Sequence, residues 1–295
     1  KKMTINNYDL VYFSIAPSGI GFLRDSFFVL IMKIFRPKII LHIHGVGISK
    51  NLKGKPNLKF IYEFIFKNTI IIHLSEGLLR SEISNNFKKI NFEGYYVNNG
   101  VNIRKEITKK DEAKNILFLS NLFPSKGIFE ALEVFNLIHK KHKDIVLNIA
   151  GAETSKQVTD RLSSFIEENN LKDRVILHGF LEGRDKEELL SRSDLLLYPT
   201  KDDAFPLVLL EAMNNGMPIV ATDIGAIGEI VKDGETGFVC TNNVNDIERK
   251  MLKLIENAHL FRELSLNSRK RFEEKFTFEI FEKNLATIMN NQLKD

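Results

Sequence analysis

Short apolar runs alternate along the chain with longer stretches in which apolar residues recur at helical spacing. The short runs predict strands at Leu10–Ile15, Ile39–His44, Thr69–Leu74, Tyr95–Asn98, Ile116–Ser120, Val146–Ala150, Val175–His178, Leu195–Tyr198, Ile219–Ala221 and Gly237–Val239. The longer stretches predict helices at Asp25–Phe35, Phe129–His142, Thr159–Asn169, Lys186–Ser193 and Leu207–Asn215. Strands that alternate with helices imply parallel sheets covered by helices on both faces. The polar stretch Ile103–Asn115 (IRKEITKKDEAKN) predicts a linker, and from Val244 onward the pattern is helical with no further strand. The expectation is two α/β domains, 1–105 and 113–270, and a helical tail, 271–295. The first half offers about four strands and opens almost at once on a buried-type strand. A doubly wound domain ordinarily opens with a strand, a Gly-rich turn and a helix. That half therefore predicts a reduced domain, or one that lacks its natural beginning.

Composition narrows this picture. With 295 residues, 43% of them hydrophobic, the chain can build two cores. The single cysteine, Cys240, allows no intrachain disulfide and fits a reducing, cytoplasmic setting. The best apolar run, Phe27–Met32, stops at Lys33, far short of the roughly 20 residues of a membrane span, and the opening KKMTINNYD lacks the shape of a signal peptide. Up to Lys110 there are 18 Lys/Arg against 7 Asp/Glu, a net of +11, and the remainder carries −7. A basic half suits nucleic acid, an anionic membrane surface or an anionic substrate, and it is equally the mark of solvated surface lysines. No recognition helix, zinc spacing or aromatic RNA-binding signature accompanies the charge, so no nucleic-acid partner is expected.

Several residues could carry chemistry. Glu211 lies in PLVLLEAM, a segment apolar almost all round, and an unpaired buried carboxylate would cost several kcal/mol. Either a nearby Lys neutralises it at a helix edge, or it accepts hydrogen bonds from ligand hydroxyls. Asp203 precedes Pro206, which is placed to be the first helical residue. Asp202 and Asp203 either offset the helix N-terminus or bind sugar hydroxyls. Lys126 and Gly127 lie between a strand and a helix start, a suitable anion site or an exposed turn. Gly151 closes the strand Val146–Ala150, where it would let a ligand approach the backbone or serve only as a turn. His178-Gly179-Phe180 repeats that arrangement. His44 ends a strand in HIHG, with His42 on the same face by alternation, and a packed, hydrogen-bonded imidazole is the plainer account of either. No third ligand or Cys cluster supports a metal. A GxSxG elbow, a Walker phosphate loop and a complete GxGxxG fingerprint are all missing, SGIG at Ser18–Gly21 being a fragment of the last.

Taken in order, these segments resemble the retaining glycosyltransferase family 4 of GT-B fold. The resemblance covers nearly the whole chain and is strongest from Ile116 to Val239: ILFLSNLFPSKG, LNIAGAE, VILHGFL, SDLLLYPT, DAFPLVLLEAM and GMPIVATDIGAIGEIVKDGETGFV. Upstream, VYFSIAPSGIGFLRD, IILHIHG, IIHLSEG and YYVNNGVN resemble the last parts of a family N-domain. The resemblance implies two Rossmann-like domains whose parallel sheets face a cleft. The N-terminal, acceptor-side domain (1–105) would be incomplete, domain 113–270 would bind the nucleotide sugar, and tail 271–295 would cross back to the first domain. It implies catalytic roles for Lys126 at the diphosphate, Asp203 at the donor sugar and His44 lining that sugar. Glu211 would hold the ribose hydroxyls. Asn121 stands where the family has an arginine, Asp203 where it commonly has Glu, and Gly127, Gly151, Phe180, Phe205, Pro206 and Leu207 would surround the nucleotide sugar. The implied reaction moves a hexose-type sugar from a nucleoside-diphosphate sugar to an acceptor hydroxyl with retention, without cofactor or metal. Its setting would be bacterial surface polysaccharide or glycolipid synthesis, with a glycan or lipid-linked acceptor, in the cytoplasm or peripherally on the inner face of the plasma membrane. Two alternatives stay open: a catalytically impaired nucleotide-sugar-binding protein, or a nucleotide-sugar epimerase of the same fold.

Overall fold

A computed structural model describes residues 8–35, 37–104, 107 and 111–294. The chain divides into two compact units, Lys1–Asn99 with Phe278–Asp295, and Gly100–Thr277. The division falls at Asn99, a few residues ahead of the polar stretch that predicts a linker, because the next residues are tied into the second unit. Val101 donates its N–H to the Phe276 carbonyl (3.0 Å), and Arg104 donates its N–H to Asn214 Oδ1 (2.9 Å). Residues 105, 106 and 108–110 of that stretch lie outside the described ones. Among the described residues no helix is long and apolar enough to cross a membrane.

In the first unit four parallel strands stand in sequence order: β1 (Leu10–Ile15), β2 (Lys38–Ile43), β3 (Ile70–His73) and β4 (Glu93–Tyr96). Helix α1 spans Gly19–Ile34. It begins six residues before the expected Asp25, because SGIG forms its first turn, with Ser18 at the N-cap, instead of a free loop. Helix α2, Pro56–Phe66, has no counterpart among the predicted helices. Tyr62, Ile65 and Phe66 face the core while Phe60, Ile61 and Phe64 are exposed, so apolar residues on both sides blur the helical period. Tyr62 stacks on Phe22 of α1 with ring centroids 3.7 Å apart. The outer face of α1 is apolar as well: Ile20, Leu23, Phe27, Leu30 and Ile34, at alternating spacings of three and four, are all exposed. On the sheet's other face, Phe281, Leu285, Ile288 and Met289 of the last helix, Phe278–Lys294, pack on Ile40, Ile70, Ile72 and Val97.

The second unit has six parallel strands: β5 (Asn115–Leu119), β6 (Val146–Ala150), β7 (Val175–Gly179), β8 (Leu195–Tyr198), β9 (Ile219–Thr222) and β10 (Gly237–Cys240). Their order is β10-β9-β8-β5-β6-β7. After β5 the chain builds outward through β6 and β7, then returns to lay β8 on the other side of β5. That gap between β5 and β8 is the topological switch point, and in open parallel sheets ligands bind at the carboxyl ends of the strands there. The helices are α3 (Ile128–Lys141), α4 (Lys156–Glu168), α5 (Gly183–Arg192), α6 (Leu207–Asn214), α7 (Val244–Ile255) and α8 (Ala258–Lys275), with a short turn at Ile227–Ile230. One core runs from Ile116 and Phe118 through Leu132 and Phe135 of α3 to Ile247, Met251 and Leu254 of α7. The one cysteine, Cys240, is buried, and burial pushes its thiol up to about 12, so it stays protonated and unreactive.

Candidate active site

Lys126 and Asp203 meet at the switch point of the second unit. Pro124–Lys126 is one tight turn after β5, and Gly127 follows as the N-cap of α3 with φ +82°. A Cβ at Gly127 would lie 1.9 Å from the Pro199 carbonyl oxygen, so the lysine turn can rest against the end of β8 only with glycine there. Lys126 donates from Nζ to Asp203 Oδ2 and to the Asp202 carbonyl, each at 2.7 Å. Asp203 Oδ2 also accepts from the Tyr198 hydroxyl at 2.6 Å, and its Oδ1 accepts from the Ala204 N–H at 2.9 Å. Gly225, at φ +60°, packs so closely behind this loop that a Cβ would lie 2.3 Å from the Asp203 carbonyl oxygen.

The neighbouring positions form the floor of the same strand ends. Asn121 is exposed and accepts from the Ala152 N–H at 3.3 Å through Oδ1. Gly151 is buried at φ +153°, and a Cβ there would lie 1.8 Å from the Ser120 carbonyl oxygen. Phe180, after β7, is 63% exposed. Phe205 is buried, with its ring centroid 6.4 Å from that of Phe276, so its side chain does not face a ligand. Pro206 is the N-cap of α6 and not its first residue, since its ψ of 117° is extended. Leu207 opens the helix and is exposed.

Glu211 departs from the expected burial. Its side chain is 25% exposed, and it accepts from Lys186 Nζ at 2.7 Å. Of the two accounts open from the sequence, a neutralising lysine is thus present, while the carboxylate also lines a cavity of about 490 Å³ with Gly183, Lys186, Arg104 and Asn215. A larger cavity of about 760 Å³ lies along α8, between Gly216, His259, Arg262 and Leu266, and contains none of the predicted site residues. His178 bonds Asn148 Oδ1 through Nε2 at 2.9 Å, as a strand histidine satisfied by its neighbour.

His44 belongs to the first unit. It stands one residue past β2, exposed on its outer side, with its ring centroid 4.0 Å from that of His42. Burial lowers the pKa of His44, because its inner side is packed even though the outer is open. His42 and His73 are fully buried. Burial, reinforced by neighbouring imidazoles, lowers His42 to about 3 and His73 to about 4. Among the described residues no group of three or more His, Cys, Asp or Glu is placed to hold a metal ion.

Two features of the second unit were missed from sequence. Tyr198 is a polar-tipped aromatic closing an otherwise aliphatic strand, and that position was the available signal. Lys186, which pairs with Glu211 from 25 residues upstream, gave no local signal at all.

The sequence pattern of the family described as "Glycosyl transferases group 1" matches residues 101–275. The chain belongs to this family. An N-acetyl-alpha-D-glucosaminyl L-malate synthase of Bacillus anthracis is 26% identical over 88% of the chain and 69% of that protein. A poly(ribitol-phosphate) alpha-N-acetylglucosaminyltransferase of Staphylococcus aureus is 29% identical over 85% of the chain and 50% of that protein. The chain thus spans between half and about seven tenths of these relatives' length. A solved structure of a Staphylococcus aureus TarM variant, in complex with fondaparinux, alpha-GlcNAc-glycerol and UDP, superposes with a TM-score of 0.69 at 26% identity, over 88% of this chain and 53% of that one. Anabaena HepE in complex with UDP superposes with a TM-score of 0.82 at 17% identity, over 96% of this chain and 79% of that one, which is a likeness of fold. The fold of this family member is therefore GT-B, two Rossmann-like α/β units with parallel sheets, as the sequence resemblance implies.

Proposed function

We propose that the protein transfers a hexose-type sugar from a nucleoside-diphosphate sugar to an acceptor hydroxyl with retention of configuration. The observation that carries this reading is Lys126 at the switch point, on the turn that leads directly into the N-terminus of α3. In the reaction the bond from the anomeric carbon to the diphosphate oxygen breaks, and its electron pair leaves with the diphosphate. The acceptor oxygen forms the new bond on the same face, and its proton passes to the leaving phosphate. Negative charge grows on the diphosphate, where Lys126 and the first-turn amides of α3 supply positive potential. Asp203 would accept from the donor sugar, Glu211 from the ribose, and the glycine-lined strand ends at Gly127 and Gly151 would admit the phosphates and base.

The positive charge comes from the chain itself, so this mechanism needs no metal, and a chelator should leave turnover unchanged. A bacterial surface glycan or glycolipid is the proposed acceptor, and the basic first unit would rest on anionic lipid. Each Lys or Arg near such a surface contributes about 1 kcal/mol. Screening UDP, GDP and ADP for thermal stabilisation tests the nucleotide site, because a ligand of the native state alone raises apparent stability. Stabilisation by one of them, followed by hydrolysis or transfer from its sugar ester, is the expected result. No stabilisation by any would refute the reading.

A further inference from the structure

The carboxylate of Asp203 is held on every side but one. Oδ2 receives both the Tyr198 hydroxyl at 2.6 Å and Lys126 Nζ at 2.7 Å, while among the described residues Oδ1 receives only the Ala204 N–H at 2.9 Å. A carboxylate oxygen accepts about two hydrogen bonds. Oδ2 is therefore filled by the protein, and Oδ1 keeps one acceptor position. The Asp203 side chain is 16% exposed, so the carboxylate is not sealed from solvent.

The two donors to Oδ2 are not equivalent. Lys126 sits on a surface turn at the end of a flexible stem. Tyr198 is the last residue of β8 and only 2% exposed, so its ring is fixed by the core. Burial and the charge of Asp203 raise the phenol's pKa, so the hydroxyl remains a donor. Tyr198 thus ties the carboxylate to β8, one of the two strands that flank the switch point.

We propose that Tyr198 is the positioning residue that fixes Asp203 for one hydroxyl of the donor sugar. When Lys126 turns to the diphosphate, the Tyr198 hydroxyl and the Ala204 N–H keep the carboxylate in place. The free position on Oδ1 then accepts a hydrogen bond from a single sugar hydroxyl. The inference rests on the donor-sugar reading of this site given above.

The test compares UDP with UDP-glucose, or the pair that stabilises the wild type if another base is preferred, on wild type, Tyr198→Phe, Asp203→Asn and the double variant. In Tyr198→Phe, affinity for the free diphosphate should stay within about twofold, while kcat with the nucleotide sugar falls about tenfold, the scale of one lost hydrogen bond to a charged group. Asp203→Asn should fall at least as far, and adding Tyr198→Phe to it should cost little more, because the two act through one carboxylate. Additive losses, or an equal loss of affinity for the free diphosphate, would mean that the hydroxyl supports the loop in general and would overturn the proposal. Unchanged kcat in Tyr198→Phe would overturn it too. If Tyr198→Phe does not fold, Tyr198→His, whose shorter ring cannot place its N–H where the phenol stood, should lower kcat by about twofold to fivefold at constant diphosphate affinity, and no change there counts against the proposal. A wild type that binds no nucleoside diphosphate would instead sink the parent reading.

Discussion

At its strand ends the first unit holds imidazoles without charge, whereas the second holds a lysine and a carboxylate in contact. His42 and His73 are sealed from water, and each has a buried Nε2 with no hydrogen-bond partner among the described residues. Desolvation keeps such rings neutral. Lys126 and Asp203 are both partly exposed and stay within 2.7 Å of each other. The difference is one of division of labour. Neutral rings near pH 7 can pack and hydrogen-bond, but they cannot balance a leaving diphosphate. Under the proposed reaction, that charge would be met by Lys126 of the second unit.

The largest effect should come from breaking the charged half. Lys126→Ala should lower kcat about 10²- to 10³-fold, the scale of removing one group that stabilises developing charge. Near-normal turnover in steady-state assays would undo the contrast. Next is the backbone that carries the charge. Gly127→Ala forces a Cβ onto the Pro199 carbonyl oxygen, and the strain should lower stability by about 3 kcal/mol in urea unfolding, well beyond an ordinary glycine replacement. The neutral half is sharpened by pH. An unfolded imidazole takes up its proton near 6.5, whereas His42 and His73 do so only near 3 and 4. Stability is therefore full above pH 6.5 and is lost as pH falls toward 4, by about 2 kcal/mol per histidine at pH 5. His42→Gln should flatten that slope in pH-dependent denaturation. The smallest effect belongs to Glu211→Gln, which should weaken binding of free nucleoside diphosphate about tenfold by calorimetry, since one charge-assisted hydrogen bond to ribose weakens.

The parallel α/β pattern, nearly all strands and the Lys126 turn were legible in the sequence because they depend on local signals: aliphatic runs, Gly after Lys, Pro near a helix start. Where apolar residues face both ways, as in α2, the period was lost. The sequence also showed an apolar helix around Glu211 but not Lys186, because that pairing joins residues of two helices, 25 positions apart in the chain. Tyr198 was missed for a similar reason. Its hydroxyl matters through Asp203, and only the fold of the loop after β8 turns that carboxylate back onto it.

The last helix has a consequence for how the molecule is made. Phe281, Leu285, Ile288 and Met289 cover Ile40, Ile70, Ile72 and Val97 of the first unit, yet they are translated after the whole second unit. On the ribosome, one face of the first unit's sheet must wait uncovered while some 180 further residues emerge, at roughly 5–20 residues per second. For that interval of about 10–40 seconds the nascent chain offers an apolar surface to holding chaperones. A chain ended just after Thr277 would have its second unit whole and one face of the first unit's sheet uncovered.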